Sequence, residues 1–235
     1  MAEAVSHLRS AFATLWQLPW HNVHKDCFWR LTVNGVPWAG GHGLAHAAQT
    51  CDCGWGPDAQ QEEPLRASAW REHVFWSCPV AQAVAETVQR QVPGELQHGL
   101  RPHVWLALHM PGVEPAVWQV VALAALSAMQ FGRRVLWAKS RAAEEARAAG
   151  GGRRQVTIEE AWGLEEAPPV VPVLQQAQRR AVAEFWSLLQ SFASMHDGGE
   201  GSWQPGRDLS VQHPFLCGRQ GERWAVRVRF DGVMD

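Results

Sequence analysis

The sequence predicts a mostly α-helical chain: a small helical bundle carrying an inserted cysteine and histidine knuckle and ending in a short C-terminal β-hairpin. Three observations carry that expectation. Apolar residues recur at helical spacing in six separate stretches; Cys51, Cys53, His73 and Cys78 interrupt the helical pattern; and only the tail shows strict alternation. With 235 residues, 46% of them hydrophobic, the chain is long enough to bury one sizeable core or two small ones.

The helices follow in order. Val5, Leu8, Phe12, Leu15 and Trp16 give a first helix over residues 3–17, stopped by Pro19. Phe28, Trp29 and Leu31 give a second over 23–33, closed by the turn signal Asn34-Gly35 and Pro37. A glycine-rich loop covers 39–56. Helix returns from Pro64 to about Trp76, breaks near Cys78, and restarts at Pro79, whose missing N–H is harmless in a first turn, to run to about Val92. The short apolar run Val104 to Leu108 fits either a strand or a turn of helix.

Pro115 opens the longest predicted helix, 116–149. It is apolar all round as far as Met129 and rich in Arg and Glu beyond Trp137, so its first half belongs to a core and its second to solvent. Gly150-Gly151-Gly152 end it. Leu174, Val182, Phe185, Leu188, Leu189 and Phe192 mark another helix over 173–195, and Trp224, Val226, Val228 and Phe230 alternate within a hairpin over 212–232. The resulting division is a helical knuckle region over 1–92, a long-helix region over 93–149 packing on it, a linker over 150–171, and a C-terminal helix and hairpin over 172–235.

Charge and composition exclude some function classes. Twenty-one basic residues against 23 acidic ones give a net charge of -2, so no global excess draws the chain to a polyanion or an anionic membrane. Any nucleic-acid contact must be local. The best candidates for phosphate contacts are Arg66 and Arg71, on the helix leading to Cys78, with Arg133 and Arg134 on the long helix. The apolar run 116–129 is too short to span a membrane and contains Gln119 and Ser127. Met1 to Gln17 lacks the pattern of a secretory signal, so an intracellular protein, nuclear or cytoplasmic, is expected. Five cysteines in that setting read as thiols or metal ligands rather than a disulfide framework. The 14 tryptophans fall mostly at apolar helix positions and are read as core, not as base-stacking platforms.

Chemistry concentrates between Cys51 and Cys78. The run Cys51-Asp52-Cys53-Gly54 puts two thiols on a tight turn, and a helix returns His73 and Cys78. Three thiolates and an imidazole are the ligand types and number of a closed tetrahedral Zn2+ site, which is structural because no position remains for water. His21, His24 and Cys27, at i, i+3 and i+6, and His42 with His46, at i and i+4, also share helical faces. They are read as ordinary core or surface groups, and Cys217 as a hairpin residue.

The string HVFWSCPV over His73 to Val80, with CDCG before it and Phe28-Trp29-Arg30-Leu31 and Asn34-Gly35-Val36-Pro37 upstream, resembles the zinc-binding segment that follows the polymerase in non-LTR retrotransposon reverse transcriptases. The likeness covers about residues 15 to 92. Val117-Trp118-Gln119-Val120-Val121 through Gly132-Arg133-Arg134 is similar to the continuation of such reading frames. The pair here is Cys-x-Cys where Cys-x2-Cys is commoner, and 19 residues separate Cys53 from His73. The resemblance implies a module that helps hold template RNA or target DNA, or a free-standing remnant of one.

No polymerase is implied, because adjacent aspartates and tyrosine are both absent from the sequence. Phosphate-loop, His-Glu-x2-His and Gly-x-Ser-x-Gly signatures are absent too, so the chain is expected not to be an enzyme. The alternative reading is a metal-free helical protein-interaction module that docks through the apolar helix 116–137.

Overall fold

A computed structural model describes residues 2–33, 50–56, 63–92, 108, 115–149, 173–195, 216–219 and 223–226. Among them are six α-helices: α1 (Ala2–Gln17), α2 (Asn22–Thr32), α3 (Glu63–Glu72), α4 (Pro79–Gln91), α5 (Pro115–Ala149) and α6 (Val173–Met195). Strands β1 (Leu216–Arg219) and β2 (Arg223–Val226) pair antiparallel, Leu216 opposite Val226 and Arg219 opposite Arg223, with β2 against α6. The expected linker over 150–171, most of the loop over 39–56 and all of 104–108 except Leu108 lie outside the described residues. No helix among the described residues is long and apolar enough to cross a membrane.

Each boundary has a local cause. Pro19 cannot donate the N–H that would extend α1, and Trp20 N–H turns back to the Leu18 carbonyl at 2.8 Å. Lys25, nearly buried on α2, sends its ammonium to the Trp16 carbonyl at 3.2 Å and lies over the Trp16 ring, which satisfies an orphan acceptor at the C-terminal end of α1. Phe12 meets the edges of Phe28 and Trp29, both at 5.5 Å between centroids, which fixes α1 across α2.

The bundle is organised around α5, which spans about 52 Å at 1.5 Å per residue and packs against α2, α4 and α6. From Val117 to Met129 its side chains are buried all round, Gln119 and Ser127 included, while Trp137, Arg141 and Glu145 are exposed. The apolar helix offered above as a docking face is thus covered by the chain's own helices over Val117–Met129. Buried residues of α1, α2, α4, α5 and α6 form one core with Val74, Phe75 and the thiols of the knuckle.

The buried stripe of α6 differs from the expected one. Ala177 and Ala181 join Phe185, Leu189 and Phe192 in full burial, whereas Val182 and Leu188 are only partly covered. Gly132 explains this: a Cβ there would sit 2.5 Å from Ala181 Cβ and 2.6 Å from Val80 Cγ1. Three helices close on a residue without a side chain, and only small residues fit opposite it. Gln178 reinforces the junction by donating to the Pro79 carbonyl at 3.1 Å.

Candidate metal centre

The loop Cys51 to Trp55 folds on itself through two backbone bonds, Cys51 N–H to the Trp55 carbonyl at 2.6 Å and Gly54 N–H to the Cys51 carbonyl at 2.8 Å. Gly54 adopts φ +93°, a left-handed conformation that only glycine holds without strain, so both thiols face one side of the turn. Helix α3 approaches from the other direction and widens into a π turn over His73–Ser77. In an α-helix, residues five apart lie about 140° round the axis. Here Cys78 N–H bonds the His73 carbonyl at 2.7 Å, which brings the two residues back to one side. Cys78 then turns extended, with ψ 132°, and Pro79 begins α4.

These two pieces gather one set of ligand atoms. The sulfurs of Cys51, Cys53 and Cys78 and a ring nitrogen of His73 all lie within 4.8 Å of one another, and Cys53 Sγ is 3.3 Å from His73 Nε2. A tetrahedral zinc with Zn–S near 2.3 Å and Zn–N near 2.0 Å has edges of about 3.5 to 3.8 Å. The four residues can therefore hold a metal ion such as zinc. Three of the four are buried, and Cys53 is half-buried.

Backbone donors meet each sulfur in the same register. Cys53 N–H donates to Cys51 Sγ, Trp55 N–H to Cys53 Sγ and Val80 N–H to Cys78 Sγ, in each case the amide two residues on. Such donors favour the thiolate, the form that binds metal. Without a cation the thiols share protons: Cys78 donates to Cys51, holding Cys51 far below the ordinary thiol range while Cys78 is pushed up by the same bond and by burial. Burial pushes Cys53 up as well. A divalent cation among the three removes that conflict, because a coordinating thiol is deprotonated outright.

The imidazole is held at one face and at its Nδ1 edge. Trp55 stacks on His73 with centroids 4.1 Å apart and planes within 4°, and Trp70 flanks the pair at 5.9 Å from Trp55 and 6.2 Å from His73. Its Nδ1 lies 3.2 Å from Ser77 Oγ. Trp55, Trp70 and Ser77 were not singled out by the sequence. The signal was slight: an aromatic two residues after the second cysteine, and a serine one turn after the histidine.

The four arginines separate. Arg71 reaches back to the Leu31 carbonyl at 3.4 Å, at the C-terminal end of α2. Arg133 is half-buried, with its guanidinium carbon 5.2 Å from the centre of the Trp70 ring. Arg134 is exposed, and the side chain of Arg66 lies outside the described residues. His24 and Cys27 serve the core: His24 Nδ1 is 3.1 Å from Ser127 Oγ, whose hydroxyl donates to Cys27 Sγ at 3.6 Å, joining α2 to α5. His42 and His46 are outside the described residues, as is the side chain of Cys217.

Comparison of the chain with protein-family models, with curated proteins and with solved structures gave no match.

Proposed function

We propose that this chain is a non-catalytic zinc-knuckle protein in which Cys51, Cys53, His73 and Cys78 hold one structural Zn2+. The single observation that carries the proposal is the convergence of four ligand atoms, from a tight loop and a π turn, within 4.8 Å. Four protein donors fill a tetrahedral shell, so the ion would fix the fold rather than activate water. His73 would bind through Nε2 and donate its Nδ1 proton to Ser77, an outer partner of the kind that orients ligating histidines.

The role of such a module, on this reading, is to hold RNA or DNA. The likeness of the segment to retrotransposon reverse transcriptase tails supports it, with exposed Arg134 as the leading phosphate contact and Arg66 as the second candidate. Arg71 is already engaged with backbone. The balanced net charge argues for few phosphate contacts and hence a shallow dependence of binding on salt.

Two measurements test the reading in order. Metal content of the purified protein by mass spectrometry should give one zinc per chain, lost with a strong chelator together with order around Cys51–Cys78; a stably folded chain with no metal rejects the knuckle. Binding of the zinc-loaded protein to single-stranded RNA and DNA over a salt series should then weaken as salt rises, and less steeply in Arg134→Ala. Absence of binding at low salt removes the nucleic-acid role and leaves the zinc site standing.

A further inference from the structure

Gly132 and Arg133 are consecutive on α5 yet face different regions: position 132 closes the bundle against α4 and α6, and position 133 reaches the wall of the knuckle. Arg133 is half-buried, its guanidinium lies over Trp70, and its Nε is fully shielded from solvent with no hydrogen-bond partner among the described residues. The indole N–H of Trp70 is buried and unpartnered as well. Shielding a guanidinium nitrogen without a hydrogen-bond partner is unfavourable unless a negative charge lies close.

The thiol cluster supplies that charge. Trp70 lies against both Arg133 and the Trp55–His73 stack, so one indole links the guanidinium to the wall of the cluster. Three thiolates and a neutral imidazole around a divalent ion leave one net negative charge in a mostly buried setting. Metal centres are tuned by such surroundings as much as by their ligands.

We propose that Arg133, reaching from the long helix α5, is the outer-sphere counter-cation of the Cys51, Cys53, His73 and Cys78 centre, held in place by Trp70. The proposal rests on the zinc reading above. Arg133 is a positioning residue: it touches none of the four ligands through a bond, and its charge lowers the energy of the metal-loaded cluster.

The experiment compares the full-length protein with Arg133→Gln, which removes the charge, and Arg133→Lys, which keeps it on a different shape. Zinc affinity is read by chelator competition, and Co2+ substitution gives the energy of the sulfur-to-metal charge-transfer band. Arg133→Gln should weaken zinc binding about 10- to 100-fold, the usual range for losing an outer-shell partner, and shift the band to lower energy, because sulfur electrons lose a stabilising cation. Arg133→Lys should stay near the parent in both readouts.

Equal affinity and band position in parent and Arg133→Gln overturn the proposal, as does an equal fall in both variants, which would mark a packing role. Should Arg133→Gln fail to fold, Arg133→Lys decides: parent-like affinity and band support the counter-cation, and a loss of affinity rejects it. A parent protein that binds neither Zn2+ nor Co2+ refutes the zinc reading itself, a result distinguishable from all of these.

Discussion

Around Gly132 three helices approach until a single methyl group would not fit, and the residues that meet there are Val80, Ala177 and Ala181. Around His73, a tight loop, the end of α3 with its π turn and the residue before α4 gather three thiols, an imidazole and two indoles. The first region is held by dispersion and exclusion of water, and the second gathers groups that can hold an ion. The two meet at neighbouring positions on α5, so the molecule offers a direct comparison between packing and coordination as means of fixing helices. Perturbing one should leave the other largely in place, and each expectation below is a way to break that separation.

The largest effect is expected at Cys78, which belongs to the ligand set and also precedes the first turn of α4. Cys78→Ser should abolish stoichiometric zinc. The knuckle would then lose a metal contribution that in small zinc modules is on the order of 10 kcal/mol. Hydrogen exchange should quicken over Trp70–Ser77 while the amides of Val120–Met129 stay protected. Uniform loss of protection along α5 would mean that the bundle also depends on the ion.

The complementary perturbation is Phe185→Ala, at a fully buried side chain on α6. Truncating a buried phenylalanine costs about 3–5 kcal/mol, which urea unfolding of the zinc-loaded protein would register as a lowered midpoint. Zinc affinity under native conditions should be unchanged. Gly132→Ala is a finer probe. The added methyl removes a helix-interior glycine, a gain of about 1 kcal/mol, but collides with Ala181 and Val80, and overpacking costs about 1–3 kcal/mol. A net loss of about 1 kcal/mol is expected, with partial relief in the Gly132→Ala, Ala181→Gly double variant; strict additivity would show that the contact is not tight.

The same contrast separates what the sequence disclosed from what it hid. Helix boundaries were legible because proline and glycine act locally: Pro19, Pro79 and Pro115 stand where α1 stops and where α4 and α5 start. The Cys51, Cys53, His73 and Cys78 cluster was legible because cysteine and histidine carry their chemistry with them. The π turn was not, since the residues of His73–Ser77 favour nothing in particular over an α-helix and the wider turn is required only by bringing Cys78 beside His73. The Ala177–Ala181 stripe was missed for a related reason. Alanine gives little hydrophobic signal, and its burial follows from a glycine about 45 residues away. Arg133 and Arg134 look alike in sequence, yet a turn of 100° between successive helical positions sends one to the knuckle and leaves the other exposed.

The smallest expected effect lies where α2 joins α5, at a polar contact inside the packed region. His24 is kept below its ordinary pKa, first by burial and then by the nearby charge of His21, while its Nδ1 pairs with Ser127. A histidine depressed in the folded state binds its proton more readily when unfolded. The stability that neutral His24 contributes is therefore complete above the unfolded value near 6.5 and declines as pH falls below it towards the lower folded value. Proton-driven loss of zinc would produce a decline of the same sign. The two are separable by working in the Cys78→Ser background, where no stoichiometric zinc remains to be lost. There, adding His24→Gln, which retains a partner for Ser127, should flatten the fall in the urea midpoint below pH 6.5. An unchanged slope would assign the acid sensitivity to other groups and leave the bundle, unlike the knuckle, insensitive to protons at this contact.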